Sequence, residues 1–423
     1  MTLAASKDVA DQELPLAGKT VAVVHAAWHS CGSYQVNVSQ AAVYKQLGAR
    51  VISLAVREWP PGQSDLSSPR WRDYISHTQD MPADERYYAN MPGAIFARPA
   101  FWGELYWPLI HGDHARATAA MTKFARLPDE LALRSIDLIH CNHFFCIPAA
   151  RNLSATAPLV IETQDVQALQ YDLRNEGIFV VPPRATYDQL LATELDFLRK
   201  ADLLVHLNAE EWETFEKLLP EMRNALVYPA VEEAPTGPGG GDIVIVASGN
   251  FPNTLSVEWF LEHVAPKAPH AQVKIAGNVD GALKTRNPAL YEKWKHLFLG
   301  RVDDIGAIYA NAGLVLLPTT EGHGLSIKAV EALSSGAPLI ATPQAFRGMK
   351  VDPAQLANVA LCASAEEFAA ALEAAAVAGP AINPLAAGAA RERNDTRQFY
   401  DENFSHAAYL RKIRDIVLPL VTP

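Results

Sequence analysis

Residues 313–342 read GLVLLPTTEGHGLSIKAVEALSSGAPLIAT, and their pattern predicts a strand, a loop, a helix and a second strand. The apolar run Leu314–Leu317 is typical of a parallel strand that is buried on both faces. The loop TTEGHG contains two glycines that let the backbone approach a ligand, and Ser326 can cap the following helix. Gly336 ends that helix before a strand at Leu339–Ala341. In such a unit, ligands bind at the carboxyl ends of the strands, against helix N-termini that favour phosphate.

Two charged side chains lie on one face of the predicted helix. Lys328 and Glu331 are three residues apart, which places them side by side on a helix surface. The lysine supplies a positive charge for a diphosphate, and the carboxylate can accept hydrogen bonds from ribose hydroxyls. An exposed surface ion pair is the alternative, because such pairs are common. The glycine loop and the flanking strands favour the ligand-binding interpretation.

The pattern Gly-x-Gly, Lys328, then Glu331-Ala-Leu-x-x-Gly-x-Pro resembles the nucleotide-sugar motif of the GT4 (group 1) glycosyltransferases. Three further stretches resemble the same family in the same order: Ser248–Asn253, Val273–Gly277 and Phe298–Asp304. The resemblance implies the GT-B fold, an α/β architecture of two Rossmann-like domains that face each other across a cleft. It also implies a retaining transfer of a sugar from a nucleotide diphosphate sugar, with no metal ion and no other cofactor.

Length and composition agree with a two-domain enzyme. A chain of 423 residues exceeds what one core usually supports, and its 49% hydrophobic content is ordinary for a globular protein. The net charge of -11 argues against nucleic acid as a partner. The four cysteines have no metal-ligand spacing and fit a reducing compartment. The first twenty residues are charged, and no apolar run could span a bilayer, so we expect a soluble cytoplasmic protein. Peripheral contact with the inner membrane face stays open.

A linker divides the chain into its two predicted domains. Residues 232–241 read EEAPTGPGGG, which is rich in proline and glycine and has no apolar periodicity. We therefore expect an N-terminal acceptor-side domain at 1–235 and a C-terminal nucleotide-sugar domain at 236–395. Residues 396–423 are expected to form a helix that, by resemblance, packs back on the N-terminal domain.

An irregular segment at about 59–127 has the character of an insertion, because tryptophans, tyrosines and prolines are frequent in it. One interpretation is a structural insertion packed by its own aromatic rings. The other is an acceptor site or a membrane-facing patch, since aromatic rings stack on sugars and suit lipid interfaces. The cluster FWGELYWPL at 101–109 is the strongest candidate, and the sequence does not choose between the two.

Three predicted strand ends in the N-terminal half carry candidate residues. Gly32 and Ser33 follow the first strand, in a loop that by resemblance lies near the donor phosphates or the transferred sugar. His140, which ends the strand at 136–140, and His143, which follows it, are both candidates for the place where the family often has a histidine. Asp165 occupies the second place of the family's His-Asp pair, and Gln164 replaces the histidine. For each of these residues, a purely structural role is the alternative to a role in the site.

The C-terminal half departs from the family at two places. Many members have an arginine and a lysine after the first strand of this domain, whereas this chain has the uncharged stretch Ser248–Asn253. The place of the family's first glutamate, eight residues before Glu331, is taken by His323, and Glu321 lies two residues earlier. The predicted catalytic residues are His143, Asp165 and Glu321. The predicted donor-binding residues are Gly32, Ser33, Asn253, Arg301, His323, Gly324, Lys328, Glu331 and Arg347.

The function that the resemblance implies is transfer of a sugar to a saccharide or lipid-linked acceptor, in polysaccharide or glycoconjugate assembly. A nucleotide-sugar epimerase of the same fold is one alternative. A phosphorylase that carries pyridoxal phosphate on a lysine is a second. A catalytically inactive homologue that acts as a partner subunit is the third, because the departures from the motif remove expected charges.

Overall fold

The computed structural model describes residues 14–58, 71–176, 178–237, 239–322, 324–378 and 391–421. The described residues fall into two compact units. The first lies within Met1–Leu207, Glu211–Val227 and Leu410–Pro423, and the second within Asn208–Glu210 and Tyr228–Tyr409. Each unit is built on its own parallel sheet.

The first unit contains a seven-stranded sheet in the order β3-β2-β1-β4-β5-β6-β7. Every neighbouring pair of its strands is parallel, as expected of runs such as VAVV and LVI that are buried on both faces. The strands are β1 (Thr20–Ala26), β2 (Arg50–Val56), β3 (Glu85–Ala89), β4 (Leu138–Asn142), β5 (Leu159–Glu162), β6 (Leu203–His206) and β7 (Asn224–Leu226).

Helices connect these strands, as parallel pairing requires. They are α1 (Gly32–Gln46), α2 (Trp71–His77), α3 (Trp107–Ile110), α4 (His114–Lys123), α5 (Ile147–Leu153), α6 (Gln167–Glu176), α7 (Tyr187–Leu198) and α8 (Ala209–Leu218). The segment predicted as an insertion contributes to this framework. Its strand β3 pairs with β2, and α4 buries Ala115 and Ala119 in the main core.

The second unit contains a six-stranded parallel sheet in the order β10-β9-β8-β11-β12-β13. Its strands are β8 (Asp242–Val246), β9 (Val273–Ala276), β10 (Phe298–Gly300), β11 (Ala312–Leu317), β12 (Leu339–Ala341) and β13 (Val359–Leu361). Its helices are α9 (Phe251–Trp259), α10 (Val279–Arg286), α11 (Pro288–Trp294), α12 (Ile305–Asn311), α13 (Ile327–Ser334), α14 (Ala365–Ala378) and α15 (Asp395–Asn403).

The passage into the second unit occurs at Tyr228, whereas the sequence places it at residue 236. The ring of Tyr228 packs 4.6 Å from that of Phe404, and Val231 donates its N–H to the Phe404 carbonyl at 3.0 Å. These contacts hold residues ahead of the linker in the second unit. The C-terminal segment forms two helices rather than one, α15 and α16 (His406–Val421), and Leu410 onward belongs to the first unit.

Candidate functional site

The strand order of the second unit creates a crevice between β8 and β11. The chain leaves β8 toward β9 on one side and later returns to β11 on the other, so the loops after these two strands diverge. Ligands of open α/β sheets bind at such a point, at the carboxyl ends of the strands. The loop after β11 leads directly into α13, as the sequence predicts. Ser326 precedes that helix but makes no capping hydrogen bond with its side chain.

Lys328 and Glu331 form a two-pronged ion pair on the first turns of α13. Lys328 Nζ lies 2.9 Å from one carboxylate oxygen of Glu331 and 2.8 Å from the other. The side chains are 30% and 21% exposed, so the pair is half-buried rather than free on the surface. The hydroxyl of Tyr309 donates to Glu331 Oε2 at 3.3 Å. Burial and the neighbouring carboxylate raise the pKa of Tyr309, so its hydroxyl keeps the proton that it donates.

Arg347 borders the glycine loop. A β-carbon at Gly322 would lie 2.7 Å from Arg347 Nη2, so the absence of a side chain there leaves room for the guanidinium. Gln344 donates its side-chain N–H to the Gly322 carbonyl at 3.2 Å, and Arg347 donates to the Gln344 carbonyl at 3.2 Å. The Nε of Arg347 is buried and has no hydrogen-bond partner among the described residues. Burial lowers the pKa of Arg347, and the Glu210 carboxylate opposes this.

The loop after β8 holds its shape through amide side chains. Asn250 caps α9, because its side chain accepts the backbone N–H of Asn253 at 2.9 Å. Asn253 Nδ2 donates to Ser248 Oγ at 2.9 Å, and the N–H of Gly249 donates to Asn278 Oδ1 at 2.8 Å. Asn253 therefore lies in the loop at the crevice, but its side-chain amide already donates a hydrogen bond within that loop.

The other predicted donor residues differ in position. Gly324 has a φ of +63°, and a β-carbon there would meet nothing within 4 Å. Glu321 is exposed, and His323 lies outside the described residues. Arg301 is exposed and follows β10, which β9 and β8 separate from β11. In the described part of the chain no hydrogen bond or ion pair joins Arg301 to the Lys328–Glu331 pair.

The first unit has the equivalent crevice between β1 and β4. Gly32 and Ser33 lie in the first turn of α1, which follows β1. His143 follows β4 with a φ of +66°, which is unusual for a residue with a side chain and typical of functional sites. Its ring packs edge-on against Trp28 at 4.8 Å. Burial lowers the pKa of His143 to about 3, so the imidazole is neutral, and its Nδ1 has no partner among the described residues.

The predicted strand end at Gln164 and Asp165 also contains a residue with a positive φ. Gln164 has a φ of +66°, and its side chain is turned back to donate to Asn142 Oδ1 at 3.1 Å. Asp165 follows it and is exposed. At this sheet edge the side chain of Gln164 is therefore buried, and the side chain of Asp165 faces solvent. His143 and Asp165 are both at the carboxyl edge of this sheet, as predicted.

A buried polar network lies beneath this edge. Gln40 Nε2 donates to Asn142 Oδ1 and to Glu162 Oε2, each at 3.1 Å. The hydroxyl of Tyr44 lies 2.8 Å from His140 Nδ1. Burial raises the pKa of Glu162 to about 8, although the hydrogen bond from Gln40 opposes this, and burial lowers the pKa of His140 to about 3. The network is therefore held by neutral groups near neutral pH.

A cavity of about 260 Å³ lies at this end of the first unit. Trp28, Phe145 and Tyr171 give it aromatic walls, and Glu58 accepts the indole N–H of Trp28 at 2.7 Å. Aromatic walls with a carboxylate suit a sugar ring, which offers apolar faces and hydroxyl donors. His143 contacts two of these walls, since its ring also stacks on Phe145 at 4.9 Å.

Sequence reasoning missed several of these residues. Tyr309, Gln344 and Trp28 contact the predicted residues Glu331, Arg347 and His143, and Glu58 contacts Trp28, yet none of the four matches a motif. The only signal for Trp28 and Glu58 was their place just after a predicted strand. No group of three or more His, Cys, Asp or Glu residues that could hold a metal ion occurs within the described ranges. In the same ranges, no helix is both long enough and apolar enough to cross a bilayer.

Comparisons with known proteins agree with this architecture. Residues 242–376 match the sequence model of the family "Glycosyl transferases group 1". No protein of curated function matches the chain in sequence. Among solved structures, sucrose-phosphate synthase from Thermosynechococcus elongatus is similar at a TM-score of 0.58 with 16% identity, over 95% of this chain and 99% of that chain.

Two further structures have the same fold. Anabaena HepE in complex with UDP gives a TM-score of 0.57 with 13% identity, over 94% of this chain and 99% of that chain. An α,α-trehalose-phosphate synthase (UDP-forming) from Burkholderia vietnamiensis gives 0.54 with 13% identity, over 95% and 99%. The family match covers the crevice with Lys328 and Glu331, and the chain as a whole shares the GT-B fold of these glycosyltransferases.

Proposed function

We propose that this glycosyltransferase uses a uridine diphosphate sugar as donor and transfers the sugar with retention of configuration. The observation that carries the proposal is the half-buried Lys328–Glu331 pair at the start of α13, beside the glycine loop. Glu331 would accept the ribose hydroxyls, and Lys328 and Arg347 would neutralise the diphosphate, so no metal ion is needed in this proposal. Uridine is favoured because HepE was solved with UDP and with UDP-glucose.

The proposed reaction breaks the bond between the anomeric carbon and the diphosphate oxygen. The acceptor hydroxyl oxygen forms the new bond on the same face of the sugar, and its proton goes to the departing phosphate. Lys328, Arg347 and the N–H groups at the start of α13 would stabilise the charge that develops on the diphosphate. The acceptor we propose is a saccharide, free or lipid-linked, whose terminal sugar enters the cavity beside Trp28, and the site of action is the cytoplasm.

The test is calorimetric binding of UDP, GDP and ADP to the wild type, to Glu331→Ala and to Glu292→Ala. The control residue Glu292 forms the same type of pair with Lys295 at 2.9 Å, but the side chains of Glu292 and Lys295 are each 59% exposed. We expect UDP to bind to the wild type and to Glu292→Ala, and Glu331→Ala to lose about 10- to 100-fold in affinity. Absence of binding by all three nucleotides would favour the inactive-homologue alternative and overturn the proposal.

A second experiment separates transfer from epimerisation. The protein is incubated with UDP-glucose, with and without a saccharide acceptor, and the products are followed by NMR at the anomeric proton. Transfer predicts a new glycoside with the anomeric configuration of the donor only when acceptor is present. An epimerised nucleotide sugar formed without acceptor would instead assign the protein to the epimerase alternative.

A further inference from the structure

Three large aromatic side chains form a row on the surface of the first unit. Phe96, Trp102 and Trp107 are all exposed, and the two indoles are 46% and 52% exposed. The row is continuous through its neighbours. Phe101 lies 4.7 Å from Phe96 and 5.3 Å from Trp102, and Tyr106 lies 5.0 Å from Trp102 and 5.6 Å from Trp107. Monomeric proteins seldom expose such a contiguous row unless it binds something.

A π-helix at Phe101–Tyr106 produces this arrangement. Its core-facing side is taken by Phe101 and Leu105, which are buried in a small cluster with Ala117 and Met121 of α4. The N–H of Trp107 donates to the carbonyl of Trp102, five residues earlier, which brings the two indoles to neighbouring positions. The outward direction of both indoles therefore follows from the packing of the helix. Short π-helical turns of this kind are frequent at functional sites.

A second loop extends the row. Ile178, Phe179 and Val181 are exposed, and Phe179 is 89% exposed. The N–H of Val181 donates at 2.8 Å to the carbonyl of Ile110, which lies three residues after Trp107 in the chain. His111 joins the two segments, because its Nδ1 lies 2.7 Å from the Val181 carbonyl and its ring stacks on Trp107 at 6.2 Å. The exposed side chains of the two segments form one apolar patch: Phe96, Trp102, Trp107, Ile178, Phe179 and Val181.

A cationic groove of about 570 Å³ adjoins this patch. Gly103, Glu104 and Pro108, from the same helical turns as the two indoles, form one side of the groove. The charged residues that line it are four cations and one carboxylate: Arg116, Lys123, Arg151, Lys200 and Glu104.

In the described part of the chain, two of the four groove cations pair with carboxylates, and Arg151 and Lys200 do not. Glu104 pairs with Lys123 at 2.6 Å, and Arg116 Nε lies 3.4 Å from a carboxylate oxygen of Asp113. Arg151 donates to the neutral carbonyls of Ala157 at 2.8 Å and Lys200 at 2.9 Å, so its charge is retained. Lys200 Nζ lies 4.0 Å from the centre of the Phe197 ring, which is also uncharged. The groove is therefore positive on a chain whose net charge is -11.

We infer that this face binds the surface of a membrane that contains anionic lipids. Indole rings favour the boundary between headgroups and acyl chains, and lysines and arginines near it attract anionic headgroups. A bilayer supplies both an apolar layer for Phe179 and the indoles and negative charge for the groove. A symmetric contact with a second copy of the chain is disfavoured, because it would bring the same cations against each other. The inference does not depend on the donor proposed above.

The test is co-sedimentation with vesicles of phosphatidylcholine alone and of phosphatidylcholine mixed with phosphatidylglycerol. We expect binding to the mixed vesicles and little binding to the neutral ones. The variants are Trp102→Ala with Trp107→Ala, Phe179→Ala, and Arg116→Gln with Lys200→Gln. Leu133→Ala and Arg126→Gln are the matched controls, since Leu133 is 86% exposed and the Arg126 side chain is 72% exposed. Phe179→Ala changes a side chain that is almost wholly exposed, so it tests the patch even where the tryptophan variant fails to fold.

Each variant of the patch or the groove should lower partition into the mixed vesicles by about tenfold, and the controls should bind as the wild type. Tryptophan emission should move to shorter wavelength on addition of mixed vesicles, and this shift should be lost in the tryptophan variant. Lack of wild-type binding, or equal binding by all variants, would overturn the inference. Light scattering that shows a concentration-dependent dimer, lost in the Phe179 variant, would assign the patch to a second copy instead.

Discussion

Lys328 Nζ contacts both carboxylate oxygens of Glu331, at 2.9 and 2.8 Å, and Tyr309 donates to one of the same oxygens at 3.3 Å. The carboxylate is thus fixed from two sides before any ribose could reach it. A bound nucleotide would compete for these bonds, with phosphate attracting the lysine and hydroxyls attracting the carboxylate. Because the two residues would bind different parts of the nucleotide, their contributions to affinity can be measured separately.

Lys328→Met should weaken UDP binding by about 10- to 100-fold and leave the affinity for uridine nearly unchanged, because uridine has no phosphate. Glu331→Gln should weaken both ligands, because both have the ribose. Calorimetry or competition binding measures the two ratios. Equal losses of UDP and uridine in the lysine variant would contradict the assignment of Lys328 to the diphosphate.

Gly322→Ala should displace the guanidinium of Arg347, because the new β-carbon would lie 2.7 Å from Nη2. If Arg347 binds the donor phosphates as proposed, UDP affinity should fall by about tenfold. Gly18→Ala, outside the site, is the matched control, since φ is also positive there (+77°, against +124° at Gly322) but the β-carbon meets nothing within 4 Å. That control should show only the strain of a left-handed alanine, about 1 kcal/mol of stability. Unchanged UDP affinity in Gly322→Ala would remove Arg347 from the site.

Glu162→Gln should change how stability depends on pH. Burial raises the folded-state pKa of Glu162 from 4.5 to about 8, so between these values the folded chain binds the extra proton. The contribution of Glu162 to the free energy of unfolding therefore falls as the pH rises from 4.5 to about 8. Above about pH 8 this contribution is lost completely. Glutamine resembles the neutral acid and does not titrate.

Urea unfolding at about pH 5 and about pH 8.5 measures this effect. The free energy of unfolding of Glu162→Gln, relative to the wild type, should be higher at the upper pH by about 1 kcal/mol or more. Glu216→Gln makes the same chemical change at an exposed position in the same unit and is the control. The same slope in both variants would show that Glu162 is ionised in the folded state throughout.

Gly277→Ala should destabilise the second unit by about 2–5 kcal/mol. Its φ is +114°, and a β-carbon would lie 2.0 Å from the carbonyl oxygen of Ala247, where the ends of β8 and β9 meet. Gly281→Ala, in the exposed first turns of α10 with nothing within 4 Å, should instead stabilise by about 0.5–1 kcal/mol. Thermal unfolding of both variants tests the pair, and similar effects would contradict the close approach at Gly277.

The predictions that the structure confirms depend on short stretches of chain. The strand, loop, helix and strand of residues 313–342 appear as β11, α13 and β12, because burial of the apolar runs and the helical period are fixed within a few residues. The fold class follows from the repeated alternation of such units. The boundary predicted at residue 236 differs from the passage at Tyr228 because Tyr228 packs against Phe404, far along the chain. The C-terminal segment divides into α15 and α16, between which Ser405 accepts the N–H of Ala408 with its side chain.

The spacing of Lys328 and Glu331 fixed their pairing in advance, since residues three apart on a helix are neighbours in any surroundings. Their partial burial and the hydrogen bond from Tyr309 come from β11 and α12, and no local pattern contains them. In the same way the sequence placed His143 after a strand, while its neutral ring and its contact with Trp28 result from burial beside another strand end. Charge state and site geometry depend on contacts between distant residues, and the folded chain alone creates those contacts.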